Sequence, residues 1–342
     1  MSKPLLLCTL ALALAACGGQ AEKTAVPKTD ANGDLRYGGL VFKPCALGGD
    51  HGDSVEAQCA TLQAPENHDA PNGRKISLAV AMIPAKSQIP SDPVVIIAGG
   101  PGQSMLDSYP MLHPALNDVR RNRNILLMDA RGTGASHLLQ CDEIVSLGEN
   151  ADDSDDPAKL RVLTERCRDR LAKTSDLRFY ATADHIRDLD LLRATIGVDR
   201  LNLAGISYGT RVAQQYAARY PEHTRTVTLD SIAPNTLVLG QEHALNLDAA
   251  IKQQFARCVA DTACKRNIGD PAALLAKVRT ALQAGGLAAV RYRDPTNGEW
   301  REEIPKFEHL GSLLRFYAYR PESASMLPLI LHDAADGRYE TL

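Results

Sequence analysis

The chain has no strong charge of either sign. Its 38 Lys and Arg against 41 Asp and Glu leave a formal net charge of -3 over 342 residues, and the basic residues are scattered rather than clustered. That argues against a polyanion-binding face, so no nucleic-acid partner is expected. There is no C-x-x-C pair with a neighbouring histidine, the usual pattern of a zinc site, and no metal is expected. The acidic stretch 149–156, with Glu149, Asp152, Asp153, Asp155 and Asp156, lacks EF-hand spacing and a turn glycine, so it reads as a solvated loop. The apolar run Leu5 to Ala13 is too short to stay in a bilayer as a permanent helix. What is present is ordinary hydrophobic content, in a chain long enough for one large core or two modest ones.

The short apolar run has a different reading. Lys3 precedes it, and it ends in Leu14-Ala15-Ala16-Cys17, which looks like a bacterial lipoprotein box. That resemblance implies a signal peptide over 1–17 and a lipid on Cys17. Gly18 rather than Asp after the cysteine points to the outer membrane, facing the periplasm. A plain secretory signal is the alternative, and both export the chain. Residues 18–36 are polar and aperiodic, a flexible tether. Export places Cys45, Cys59, Cys141, Cys167, Cys258 and Cys264 in an oxidising compartment. Many pairings are open, but Cys45 with Cys59, Cys141 with Cys167 and Cys258 with Cys264 each lie within one segment.

The strongest pattern is Leu201 to Tyr216, LNLAGISYGTRVAQQY. An apolar run stops at Ser207, and helical spacing then takes over with Val212, Tyr216 and Tyr220 until Pro221. Strand, sharp turn and helix around Gly205-Ile206-Ser207-Tyr208-Gly209 are the context of a nucleophile elbow, which lifts a serine Oγ above a sheet. Upstream, Val94 to Ala98 lead into Gly99-Gly100-Pro101-Gly102-Gln103-Ser104, and Asn124 to Met128 lead into Asp129-Ala130-Arg131-Gly132-Thr133-Gly134-Ala135-Ser136. A buried strand ending in a glycine loop is where an oxyanion hole takes its second amide, so Tyr208 and Gly100 are the expected donors.

GGPGQS, DARGTGAS, YATADHIRDLDLLR, GISYGTRVA and TLDSIAP, in this order, resemble the proline iminopeptidase family of α/β-hydrolases, in particular its secreted tripeptidyl-aminopeptidase-like branch. The resemblance runs from about Cys45 to the end, with Ala98 standing where many relatives have His. It implies an α/β-hydrolase fold, with a mostly parallel sheet in a core over 37–235 and a helical cap over 236–342. It also implies a serine peptidase without a cofactor, releasing N-terminal residues or short peptides through an acyl-enzyme on Ser207. An esterase shares these motifs. Within the core, short antiparallel strands are expected at Gly39 to Cys45, Val55 to Ala64 and Lys75 to Ala85. Helices are expected at Tyr109 to Val119 and after a Thr182 cap, ending at Gly197.

What the pattern lacks is a base. In this fold the acid and the histidine follow the serine on loops after later strands. Past Asn235 the spacing is helical, as in Ala249 to Val259 and Pro271 to Leu282, with no strand followed by such a loop. His223 falls in a surface turn, and His243, His309 and His332 fall in helical or polar stretches. Asp230, at a strand end, reads as a turn residue. Glu242 is acidic near the start of the cap and is the candidate ammonium-binding carboxylate. The expectation is therefore a sheet incomplete at its C-terminal edge. On that expectation the chain is either the front part of a longer enzyme or a non-catalytic relic or binding protein, with Arg225 to Leu229 as an exposed edge strand.

Overall fold

The computed structural model describes residues 25–48, 54–87, 90–141, 157–294 and 297–342. Cys17, residues 18–24 of the expected tether, His51 and the acidic stretch 149–156 lie outside the described residues, and the rest of that tether is not aperiodic, since it holds one short strand, Lys28–Thr29, and the start of another, Leu35–Tyr37. The chain divides into two compact units, Met1–Leu237 and Val238–Leu342.

The first unit is built on one sheet. Its described strands are β1 (Lys28–Thr29), β2 (Leu35–Tyr37), β3 (Leu40–Gly48), β4 (Ser54–Pro65), β5 (Lys75–Ile83), β6 (Ser91–Ile97), β7 (Arg123–Met128), β8 (Leu201–Ile206) and β9 (Thr224–Asp230). They lie in the order β1-β2-β3-β4-β5-β7-β6-β8-β9. The sheet is mixed. Pairings from β1 through β5 to β7 are antiparallel, while β7, β6, β8 and β9 run parallel, and the first three of these carry the glycine turns at their C-terminal ends.

Side chains along the central strands alternate between two buried layers, as the two-residue repeat of a strand requires. Leu126 and Met128 of β7, with Val95 and Ile97 of β6, pack into one layer with Ile186, Leu189 and Leu192 of the helix Thr182–Ile196 and Val212 and Tyr216 of the helix Tyr208–Arg219. Ile125, Leu127 and Ile96 pack into the other, against Met105, Leu106 and Tyr109 of the helix Met105–Leu112. Among the described residues β9 ends the sheet, and Arg225 to Thr228 on it are exposed.

Three local expectations are corrected. The helix expected over Tyr109 to Val119 is Met105–Leu112, followed by the 3-10 turns His113–Leu116 and Val119–Arg121. Ser104 starts it by accepting from the Asp107 amide, and Pro114 lies just beyond its end. Thr182 does not cap its helix. Ala181 holds that position and gives its amide to Asp184, while the Thr182 hydroxyl is paired with the Tyr208 hydroxyl. The Gly197 end is as expected, with φ 78°.

The third correction concerns the second unit, which is not purely helical. Helices His243–Ala260, Thr262–Ile268, Pro271–Ala284, Phe307–Tyr317 and Pro321–Ala335 surround a core that includes Phe255, Val278, Leu310, Leu327 and Leu331. Between the third and fourth stands an antiparallel hairpin, β10 (Val290–Arg293) and β11 (Trp300–Glu303). VRYR alternates Val290 and Tyr292 with two arginines, but over only four residues, and WREE does not alternate, so neither is long enough to read as a strand. The hairpin is held by cross-strand contacts instead, the Arg291 guanidinium lying 4.6 Å from the Trp300 ring and Tyr292 donating to Glu303. Cys45–Cys59, Cys141–Cys167 and Cys258–Cys264 are disulfide-bonded, the three local pairings.

Candidate active site

Ser207 sits between β8 and the helix Tyr208–Arg219 with φ 53° and ψ -118°. For a non-glycine residue this backbone costs on the order of 1 to 3 kcal/mol and persists only where its surroundings enforce it. Two glycines and one hydrogen bond do so here. A Cβ on Gly205 would strike the Gly209 carbonyl, and a Cβ on Gly209 would strike the Ile97 carbonyl of β6. The Ser207 amide donates to the Asp230 carbonyl at 2.8 Å, which ties the turn to the end of β9. The outcome is an exposed serine at the C-terminal end of the parallel strands.

The first glycine loop closes against it. A Cβ on Gly99 would lie 3.1 Å from the Ser207 Cβ and 3.3 Å from the Ile206 carbonyl oxygen, so any side chain there would press on the elbow. Gly100, next along, has φ 101°. Tyr208 follows the serine, its hydroxyl engaged with Thr182.

Both glycine loops are held by buried carboxylates that sequence reasoning did not single out. Asp129, 1 % exposed at the end of β7, accepts from the Met105 amide at 2.7 Å, the Leu106 amide at 3.1 Å, the Ala135 amide at 3.1 Å and the Ser104 hydroxyl at 3.0 Å. It therefore fills the N-terminus of the helix Met105–Leu112 and pins the second loop to the first. Gly134 is required beside it, because a Cβ there would collide with the carboxylate. Asp188 does the same for Arg131. The guanidinium Nε donates to Asp188 Oδ2 at 2.7 Å and Nη2 to Oδ1 at 2.6 Å, while other N–H groups reach the carbonyls of Pro65, Glu66 and Phe179. Neither side chain is more than 1 % exposed.

No described histidine is hydrogen-bonded to Ser207. His68 contacts Asp188 and Arg131, His113 contacts Tyr109 and Arg120, His137 contacts Ser175, and His223 contacts Asp190. His185 is buried, its Nδ1 has no partner among the described residues, and burial pulls its pKa down to about 4, so the ring is neutral. In the second unit His309 lies 3.4 Å from Glu303, and His332 lies near Asp333 and Asp336. The Asp230 carboxylate accepts from Ser231, and Glu242 is exposed at the head of its helix. Among the described residues no group of three or more His, Cys, Asp or Glu is arranged to hold a metal ion, and no helix is long and apolar enough to cross a membrane.

Comparison with known proteins agrees with this geometry. The chain is similar to serine protease Hip1 of Mycobacterium tuberculosis, 28% identical over 236 residues that cover 63% of this chain and 43% of that protein. It is also similar to tripeptidyl aminopeptidase of Streptomyces lividans, 28% identical over 234 residues, 64% of this chain and 43% of the other. Carboxylesterase B of Mycobacterium tuberculosis is 31% identical over 220 residues, 60% of this chain and 42% of that one. The matched stretches thus span less than half the length of these relatives. The family described as alpha/beta hydrolase fold matches residues 92–323, from the start of β6 into the second unit. Glycine-enforced elbow, clamped glycine loops and family match coincide on the same strands, and the chain belongs to the α/β-hydrolase fold family.

Proposed function

We propose that the protein is an exported serine hydrolase, an aminopeptidase that releases N-terminal residues or short peptides from peptide substrates through an acyl-enzyme on Ser207. The observation that carries this reading is the strained, exposed Ser207, held at a left-handed φ by Gly205, Gly209 and the Asp230 carbonyl. A fold retains such strain where a reacting atom must be presented. Ser207 Oγ attacks the carbonyl carbon, and the amides of Tyr208 and Gly100 receive the developing oxyanion. The hydroxyl proton ends on the leaving nitrogen as the carbon–nitrogen bond breaks, and water then hydrolyses the ester, releasing the acid and restoring the Ser207 hydroxyl. The peptidase reading is favoured over other hydrolases by relatives named serine protease and tripeptidyl aminopeptidase. Glu242 is the proposed partner of the substrate ammonium group.

The three disulfides support export, since such bonds persist in oxidising compartments. Within that reading Cys17 carries the lipid that anchors the chain to the outer membrane, on the periplasmic side. A Cys17→Ala variant recovered in the soluble periplasmic fraction supports the anchor, and unchanged membrane association refutes it.

A second reading is favoured by the similarity to carboxylesterase B, namely hydrolysis of small acyl esters. A panel of aminoacyl and tripeptidyl arylamides beside acyl esters separates the two, with fluorophosphonate labelling mapped to Ser207 and abolished by Ser207→Ala. Faster turnover of arylamides supports the peptidase, and faster turnover of esters the esterase. Absence of both turnover and labelling would leave a non-catalytic binding protein.

A further inference from the structure

Beside the elbow, wholly within the first unit, lies a cavity of about 320 Å³. Gly99 and Tyr208 form the wall nearest Ser207, and Ala130, Leu139, Thr182 and His185 are among the residues that complete it. The volume is at the low end for ligand pockets, which begin at about 300 Å³, so it holds one side chain rather than a whole peptide.

Its electrostatics are unusual for a pocket with so many polar neighbours, because the protein already uses their hydrogen bonds. The Thr182 and Tyr208 hydroxyls face each other. Thr133 donates to the Ala130 carbonyl at 2.8 Å, Tyr180 to Glu66 at 3.0 Å, and the Gln103 amide to Ser108 at 2.9 Å. Arg131 is the one ionised side chain in the wall, and Asp188 and three backbone carbonyls take up its guanidinium. No carboxylate lines the cavity. His185 is neutral, and its unpartnered Nδ1 sits in an imidazole that forms part of the wall. An ammonium group entering this space would find no counter-charge, and a carboxylate would find a guanidinium with no face to spare. Either would give up water with no free opposite charge to replace it, whereas a hydrocarbon or aromatic group gains by leaving water.

We infer that this cavity seats an uncharged, largely apolar group of the substrate next to the carbonyl that Ser207 attacks, and that it rejects ammonium and carboxylate groups at that position. The inference rests on the hydrolase reading only for the identity of the attacked atom. The substrate class that follows is peptides or acyl compounds with an aliphatic or aromatic group adjacent to the scissile bond. A free amino terminus is held elsewhere.

A test that needs no catalytic base uses Ser207→Cys, since a thiol at this position is alkylated without one. Iodoacetamides bearing a benzyl, an aminoethyl or a carboxymethyl group on nitrogen are reacted with the variant chain. Rates are read at residue 207 by peptide mass mapping and divided by those for a small free thiol. The benzyl probe should show a normalised rate at least tenfold above both charged probes. Equal rates, or preference for a charged probe, would overturn the inference.

Two further variants locate the preference. Ala130→Phe on the Ser207→Cys background fills the cavity and should bring the three rates to near parity. Leu139→Glu supplies a carboxylate and should raise the aminoethyl probe above the other two. Persistence of the benzyl preference in both would place recognition outside the cavity. Unfolding would expose the thiol and by itself bring the three rates to that of the free thiol, so each variant is first shown to be folded by far-UV circular dichroism, and the Ser207→Cys panel decides where a second variant fails to fold. Fluorophosphonate labelling of the wild-type chain is scored separately: its absence beside intact probe selection sinks the hydrolase reading alone, and its presence beside equal probe rates sinks the cavity assignment alone.

Discussion

Replacing Arg131 by methionine should destabilise the first unit by about 3 to 5 kcal/mol, the usual cost of removing one partner from a buried ion pair. Methionine keeps an unbranched stem and deletes the guanidinium. Asp188, with 0% side-chain exposure, then keeps only the His68 ring nitrogen at 2.8 Å among its present side-chain partners. The carbonyls of Pro65, Glu66 and Phe179 each lose a donor as well. Arg131→Lys should recover less than half of the loss, because one ammonium cannot reproduce a planar fork spread over a carboxylate and three carbonyls. The double variant Arg131→Met/Asp188→Leu removes both charges and should be more stable than Arg131→Met alone. Urea unfolding followed by far-UV circular dichroism measures all three. The sole tryptophan, Trp300, lies in the second unit, so its fluorescence follows that unit independently. For a unit of this size the single variant corresponds to a fall in Tm of about 6 to 20 °C. A loss below about 1 kcal/mol, or a double variant less stable than the single, would mean that the pair does not hold the second glycine loop in place.

Two other perturbations follow from the same structure. His185 has its pKa lowered to about 4 by burial, so the folded state keeps it neutral while the unfolded chain takes up a proton near the ordinary histidine value. Its contribution to stability is therefore complete above about pH 6.5 and is lost as pH falls to about 4, a decline of about 3 kcal/mol that His185→Leu should remove from the curve of stability against pH; parallel curves for the two proteins would contradict the burial argument. Cys45 and Cys59 close a loop of 14 residues across β3 and β4, so replacing both with alanine should cost about 3 kcal/mol in chemical denaturation, and a cost near zero would mean that strand pairing alone fixes that register.

The parts of this fold that were legible in the sequence depend on neighbours along the chain. A glycine at 205 or 209 announces a close approach because a Cβ has nowhere to go, and the structure shows what it would strike. Apolar runs such as Val94 to Ile97 and Asn124 to Met128 read as strands because both of their faces are covered. The local cysteine pairs were visible for the same reason. The polar β10–β11 hairpin was not, since its stabilising contacts pair residues on opposite strands and each strand has only four residues, too few for the alternation in VRYR to stand out. Thr182 misled as a cap because its hydroxyl is taken by Tyr208, 26 residues away. A triad could not be read, and no described histidine is hydrogen-bonded to Ser207 either.

Asp129 and Asp188 show why the site is more than its glycines. Asp129 follows an apolar strand and Asp188 lies in a helix rich in charge, and neither has a partner close by in sequence that would mark it as a buried clamp. Asp129 acquires its role from amides 23 and 24 positions upstream, and Asp188 from a guanidinium 57 positions away. Glycine permits the two loops to come near Ser207 but does not hold them, since a residue without a side chain offers no contact beyond its backbone and forfeits more conformational entropy on folding than any other. The fixing energy must come from groups that are buried and fully hydrogen-bonded, and these carboxylates are such groups. An oxyanion site needs donors already in position before charge develops. On this view Asp129 positions the proposed oxyanion loop through the helix Met105–Leu112, and Asp188 positions the loop opposite through Arg131, so that Ser207 is presented to a site whose shape does not depend on the substrate to organise it.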